Sequence, residues 1–261
     1  MEGHSELSIS VVIPMYNAAK TIERALNSIK DQTFKCYYQI IVVNDGSKDN
    51  SQEIVEKYIA DHPELNITLI NQLNGGVSKA RNTGLKHASG NFIALLDSDD
   101  YWLKNKIDIQ VKYFSLGYDF VCALRNNDII SFPYKIENNI ADISLRKLLF
   151  KVVGQTSTAL FKKEILDNVG LFDENQKYSE DANLWMRISL KYKMIIINEK
   201  LVATDNDYGK NGLSSNIAGM EKGVRKNINE MRQKHRINLF EYYFFSLFSE
   251  LKYIRRKLLR K

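Results

Sequence analysis

Residues 92–102 read FIALLDSDDYW, five apolar residues followed by carboxylates at Asp97, Asp99 and Asp100. A short apolar run that stops at polar residues is the pattern of a strand buried on both faces, with its carboxyl end open to a loop. Working upstream, the same unit recurs three times. Residues 9–13 lead into Pro14-Met15-Tyr16-Asn17, residues 39–43 into Asn44-Asp45-Gly46-Ser47, and residues 67–70 run toward Asn74-Gly75-Gly76. Helical periodicity fills the intervals, at 19–30 (Ile22, Ala25, Leu26, Ile29), 51–60 (Ile54, Val55, Tyr58, Ile59) and 77–88. Alternating strands and helices predict an α/β fold whose first half is a mainly parallel sheet with helices on its faces. Ligands of such sheets bind beyond the carboxyl ends of the strands, where all four polar loops fall.

Downstream the pattern is mixed. It predicts a helix over 103–114, strands near 120–124 and 157–161, a helix over 180–192, a strand at 194–197, and helix from 217 onward. Neither an internal repeat nor a low-complexity linker interrupts the 261 residues.

Each polar loop has a chemical and a local reading. Three carboxylates after a strand supply hard oxygen ligands for Mg²⁺ or Mn²⁺, which complete their shells with diphosphate oxygens and water. Equally, Asp99 or Asp100 could cap the helix that follows. Asp45 could accept from a nucleobase N–H, while a turn with an N-cap at Ser47, Asp49 or Asn50 accounts for the same residues. The Asn74-Gly75-Gly76 loop opens a helix carrying Lys79 and Arg81. These cations suit phosphates, and Arg81 could instead hold Asp97 or Asp99 in place. Ser179-Glu180-Asp181 begins an amphipathic helix, either as cap and dipole partners or with one carboxylate as a general base.

In order and spacing, VVIPMYN (11–17), IIVVNDGSKDNS (40–51), NGGVSKARNTGL (74–85), FIALLDSDDYW (92–102) and YSEDANLWMRI (178–188) resemble glycosyltransferase family 2. This family comprises inverting enzymes with the GT-A fold, and the resemblance extends over roughly residues 8–215. It implies a mixed sheet with helices on both faces and a nucleotide-sugar donor, most often a uridine diphosphate sugar. Carried onto these positions, Pro14, Tyr16 and Asp45 would hold base and ribose. Asn74, Arg81 and Ser98 would contact the donor, and Asp97 would bind ribose or sugar hydroxyls. Asp99 would ligate Mn²⁺ or Mg²⁺, Asp181 would be the catalytic base with a pKa near its ordinary value, and Glu180 would orient the acceptor. The implied product is a bacterial surface glycan such as lipopolysaccharide. Some features depart from the family pattern. Asn44 stands where Asp is frequent, and segment 203–215 offers no late histidine for the metal. The Q-x-x-R-W motif of processive members is missing, which favours addition of a single sugar.

On this reading residues 1–215 form the catalytic domain, with 1–100 serving the donor and 101–215 the acceptor, and 216–261 a basic and aromatic helical extension. The net charge of +6 calls for an anionic partner, and much of it lies in 250–261, where six Lys and Arg face the single acid Glu250. The longest apolar run there, residues 242–245, falls far short of the ~20 residues that span a bilayer. An interfacial helix at the membrane and a helix packed on its own domain or on a second subunit are both compatible with it. Two cysteines in no metal-ligand spacing fit a reducing cytoplasm, and residues 1–8 do not read as a signal peptide. The expected location is thus cytoplasmic, peripheral at the inner face of the cytoplasmic membrane. Readings from other classes are a non-catalytic nucleotide-sugar or glycan binder and a nucleotidyltransferase. The latter lacks its G-x-G-x-R-like loop, and a nucleic-acid binder has only net charge in its favour.

Overall fold

A computed structural model describes residues 7–126, 128–204 and 215–259. The first hundred residues hold β1 Ser8–Met15, β2 Tyr37–Asn44, β3 Asn66–Asn71 and β4 Phe92–Leu95, side by side in one half of the sheet, and next in the chain is β5 Asp100–Trp102, at the opposite edge. Beyond them lie β6 Phe120–Arg125, β7 Ile140–Ile143, β8 Leu160–Lys162 and β9 Met194–Thr204. The strand order is β3-β2-β1-β4-β8-β6-β9-β5, with β7 also paired to β9. Pairings among β1 to β4 are parallel, whereas β8 runs antiparallel to both β4 and β6, so the sheet is mixed.

Alternation along β1 separates two cores. Ile9, Val11, Ile13 and Met15 pack with Ile22, Ala25, Leu26 and Ile29 of helix α1 (Ile22–Lys30) and with Val55 and Tyr58 of α2 (Ser51–Asp61). Val12 points the other way, into the cluster containing Ala80 and Leu85 of α3 (Val77–His87). Successive side chains on a strand take opposite faces, so a central strand covered by helices on both sides must be apolar throughout. Helix α3 seats close to the sheet at Gly84, where an added Cβ would come within 2.4 Å of a Val12 methyl.

Three expectations change. The helix predicted over 103–114 is the shorter α4 (Lys106–Val111), because residues 100–102 form β5 against the end of β9. Trp102 fixes that strand by donating its indole N–H to the Ser157 carbonyl at 2.9 Å. The strand expected at 157–161 is split into a 3₁₀ turn, Thr156–Thr158, and β8. The predicted helix 180–192 ends earlier, as α7 (Glu180–Ile188), preceded by α5 (Leu145–Phe150) and α6 (Ile165–Val169).

Beyond the sheet come α8 (Ile217–Gln233) and α9 (Leu239–Leu258), the latter opened by a reciprocal capping box between Asn238 and Glu241. Ile228, Met231 and Phe245 of these helices belong to the same buried cluster as Leu184 and Trp185 of α7. Of segment 203–215, which offers no histidine for the metal, residues 205–214 lie outside the described residues, as do Arg260 and Lys261.

Candidate active site

At the carboxyl ends of β1, β2 and β4 the loops converge on one cleft of about 2150 Å³. Every residue to which the resemblance gave a role lines it: Pro14, Tyr16, Asp45, Asn74, Arg81, Asp97, Ser98, Asp99, Glu180 and Asp181; Lys79 does not. The loops after β1 and β2 are laced together. The Asn17 amide N–H donates to Ser47 Oγ (3.0 Å), and the Lys48 amide donates to Asn17 Oδ1 (2.8 Å). Tyr16 projects from this frame with 49% of its surface exposed, available to stack on a flat ring.

Asp45 is buried, and its carboxylate anchors the next loop. One oxygen accepts the Gly75 amide and the Gln72 side chain, and the other accepts the Gly76 amide, each at 2.8 Å. Asn74 closes the arrangement by donating to the Asp45 carbonyl at 2.9 Å. Gly76 sits at φ 87°, a left-handed conformation that favours glycine, and this turn aims both amides at the carboxylate.

Arg81 is the hub of the cleft floor. Its guanidinium, 4% exposed, donates to Asp97 at 2.7 Å and to Glu180 at 2.8 Å, and lies 5.3 Å from the Phe172 ring centroid. Of the two partners left open by the sequence, the structure gives it Asp97, and adds Glu180 from 99 residues downstream. Thr156 also donates to Asp97, at 2.8 Å, and the Asp97 amide donates to Ser157 Oγ at 3.0 Å. Burial acts to raise the Asp97 carboxyl, but the Arg81 charge and the hydrogen bonds from Arg81 and Thr156 outweigh it and hold it below the usual carboxylate range.

The other carboxylates diverge. Asp100 is buried on β5, and burial together with the Asp97 charge pushes it up to about 7. Asp99 is exposed toward the cleft, and its carbonyl accepts from Arg24 at 3.2 Å. Asp181 is half-buried at the first turn of α7. Burial first, and the adjacent Glu180 charge second, lift it to about 7, rather than leaving it at the ordinary value expected from sequence. The turn that aims it has Ser179 at φ 55°, with the Ser179 carbonyl accepting from both Gln176 and Asn227 at 3.0 Å.

Residues 10–169 match the profile of glycosyl transferase family 2. The chain belongs to that family. RP339 of Rickettsia prowazekii (strain Madrid E), described as an uncharacterized glycosyltransferase, is 32% identical over 190 residues, covering 69% of this chain. The chain spans only 58% of the length of that relative. WfgD of Escherichia coli, described as a UDP-Glc:alpha-D-GlcNAc-diphosphoundecaprenol beta-1,3-glucosyltransferase, is 31% identical over 216 residues, covering 80% of each chain. Among solved structures, S. aureus TarS 1–349 in complex with UDP-GlcNAc superposes with a TM-score of 0.70 at 24% identity, over 86% of this chain and 66% of its own. That likeness is one of fold, and the fold is GT-A.

Family 2 sequences direct attention to a divalent metal, and the donor set allows a specific fit. Among the described residues no three His, Cys, Asp or Glu side chains come together as a cage. Asp97, Asp99 and Asp100 all line the cleft; Asp97 is held by Arg81 and Thr156, Asp100 is buried, and Asp99 is the exposed carboxylate of the motif. One carboxylate completed by diphosphate oxygens and water satisfies Mg²⁺ or Mn²⁺; it would not retain either ion alone. Sequence reasoning missed Thr156, Ser157, Gln176 and Asn227, which fix Asp97 and the α7 turn from unpatterned or distant positions. It also missed the cleft wall formed by Lys252, Arg255 and Arg256 of α9.

Proposed function

We propose that the chain is an inverting glycosyltransferase that adds a single sugar from a nucleoside-diphosphate sugar, UDP-linked, to a hydroxyl of a lipid-linked bacterial surface glycan. The observation carrying this reading is the Arg81 bridge. It ties Asp97, beside the donor loops, to Glu180, which neighbours Asp181, so donor and acceptor machinery meet across one buried cation. WfgD, similar over four-fifths of this chain, supports the choice of a UDP-sugar and of an acceptor joined to a lipid diphosphate.

Residues 1–100 then serve the donor. Tyr16 and Pro14 cover the base, and Asp45 sets the Asn74-Gly75-Gly76 loop against it. Asp97 and Ser98 face the ribose and sugar. Arg81, paired with two carboxylates, positions Asp97 and Glu180 and lines the cleft on the donor side. A divalent ion held by Asp99 and the diphosphate would neutralise charge on the leaving group. From the 101–215 half, Asp181 takes the proton of the acceptor hydroxyl, whose oxygen attacks the anomeric carbon opposite the nucleoside diphosphate. The bond to the diphosphate breaks and the anomeric centre inverts. A carboxylate lifted to about 7 is a stronger base than an ordinary one and is still ionised in half the molecules at that pH. Glu180, fixed by Arg81, borders the acceptor side.

Release of nucleoside diphosphate from a panel of nucleotide sugars tests this. The native chain should turn over one UDP-sugar with Mn²⁺ or Mg²⁺, and Asp99→Ala and Asp181→Ala should not, with Asp181→Ala still binding donor. Titration with Mn²⁺ should show tight binding only once UDP is present. Donor binding without turnover, with lipid-linked acceptors supplied, would favour a nucleotide-sugar-binding protein instead.

A further inference from the structure

Helix α9 is two-sided. Phe245 and Ser249 are buried, while Phe240, Phe244, Leu247, Leu251, Ile254 and Leu258 stand between 43% and 78% exposed. Their spacing of three or four residues places them along one stripe, on a helix about 30 Å long at 1.5 Å per residue. A second segment of chain adjoins it. Phe132, 75% exposed, stacks edge-on to Phe150 at 5.5 Å, and Phe150 in turn meets Phe244 at 5.8 Å and Phe248 at 5.3 Å. Ile129, near Phe132 in the chain, and Leu259, at the end of α9, are 72% and 75% exposed, and both line the cleft. The cleft is therefore flanked by apolar lips from two separate segments, each opening to solvent.

The charge beside this surface is of one sign. On α9, Glu241 is engaged by Arg146 and by its own cap, and Glu250 is ion-paired with Arg225. Arg255 and Lys257, at the cleft end of the stripe, have no ion pair among the described residues, and the sequence continues to Arg260 and Lys261. No helix of the described residues is long and apolar enough to cross a membrane. A stripe of aromatic and aliphatic side chains shouldered by unpaired cations matches a bilayer interface, with apolar groups below the headgroups and cations level with lipid phosphates.

We infer that the outer face of α9, together with the Ile129–Phe132 lip, docks on an anionic lipid surface and opens the cleft onto the headgroup layer. The inference builds on the proposed glycosyltransferase reading in one respect, that the cleft receives its acceptor from that surface. Docking itself needs no donor, so the two readings can fail separately.

Flotation of the full chain with vesicles of phosphatidylglycerol and phosphatidylcholine, against phosphatidylcholine alone, is the test. The native chain should bind the anionic vesicles, and salt should weaken binding. A triple variant, Phe240→Ser, Leu247→Ser and Leu251→Ser, should bind at least about tenfold more weakly, and Ile129→Ser with Phe132→Ser several-fold more weakly, since buried apolar area sets interfacial affinity. Leu116→Ser, an exposed apolar side chain elsewhere, should bind as the native chain does. Nucleoside diphosphate release without vesicles should be the same for the native chain, the triple variant and Leu116→Ser. Unchanged flotation of the triple variant would overturn the inference. So would a native chain that ignores vesicles and sediments as a dimer that the triple variant dissolves, since a second copy would then be what covers the stripe.

Discussion

Replacing Arg81 by Met should produce the largest single loss of stability in the cleft, with a characteristic pH dependence. Methionine keeps the apolar stem of the side chain and removes the guanidinium with its charge. It leaves Glu180, 10% exposed, and Asp97, 28% exposed, without their shared cation. Breaking a buried ion pair from one side costs about 3–5 kcal/mol, and the residual exposure of Asp97 argues for the lower part, about 3–4 kcal/mol near neutral pH. In a chain of this size that corresponds to roughly 6–16 °C in melting temperature. The sign of the pH effect follows from Asp97. With Arg81 present its carboxyl lies below the ordinary value, so the bridge stabilises the fold above that value and the contribution fades as pH falls. Without Arg81, burial raises the same carboxyl, and the variant loses stability as pH climbs through the range where the buried acid must ionise. The deficit of Arg81→Met should therefore be larger at pH 8 than at pH 5. Arg81→Lys, whose ammonium cannot fork to both acids, should fall between the two. Urea unfolding of the three proteins at both pH values measures this. A deficit under about 1 kcal/mol at pH 8, or one that does not shrink toward pH 5, would refute the bridge as an energetic unit.

Asp181→Asn should reduce turnover by about 10²–10⁴-fold with donor affinity retained. With the native base lifted to about 7, the native rate should decline as pH drops below that point, because the protonated acid accepts nothing; a flat pH–rate profile down to pH 5 would remove Asp181 from the role. Asp45→Ala should free the Gly75 and Gly76 amides, read as faster hydrogen exchange over 75–76 and weaker nucleotide binding, and unchanged exchange would contradict the tether. Lys106 is fully buried over the Trp102 ring, its ammonium without a hydrogen-bond partner, and burial holds its pKa well below the usual lysine value. Lys106→Met should stabilise the fold by about 1–3 kcal/mol near neutral pH. The native chain alone should gain stability from pH 7 to pH 10, since its unfolded lysine binds the proton that the folded one has shed; equal slopes for the two proteins would count against this.

The features legible in sequence were those encoded locally. Four strands, their loops and the helices between them each announce themselves within about a dozen residues, and the loops fall together because parallel strands share one carboxyl edge. Partner choice was not local. Nothing near Arg81 indicates that Glu180 is its second ligand, or that Thr156, in an unpatterned stretch, would donate to Asp97. Asp100 illustrates a competing signal. Its sequence suits a helix cap, but the ladder with Thr204 on β9 draws it into a strand, and burial follows from that pairing. An ordinary pKa for Asp181 follows from a base that takes its proton late in the reaction, and the burial that lifts it to about 7 is not written in the sequence around it.

The glycine at 223 in α8 has a consequence for how such proteins can be recombined. A Cβ there would stand 2.2 Å from the Tyr178 carbonyl oxygen, and one helical turn on, Asn227 donates to the carbonyl of Ser179, the residue just before Glu180 and Asp181. The matched family region ends at residue 169, whereas the aim of Asp181 is set between 176 and 227. A chimera between this chain and a relative should keep its function only if α7 and α8 arrive from the same parent. Crossovers placed between those helices would exchange sequence that folds without keeping the turn that aims Asp181.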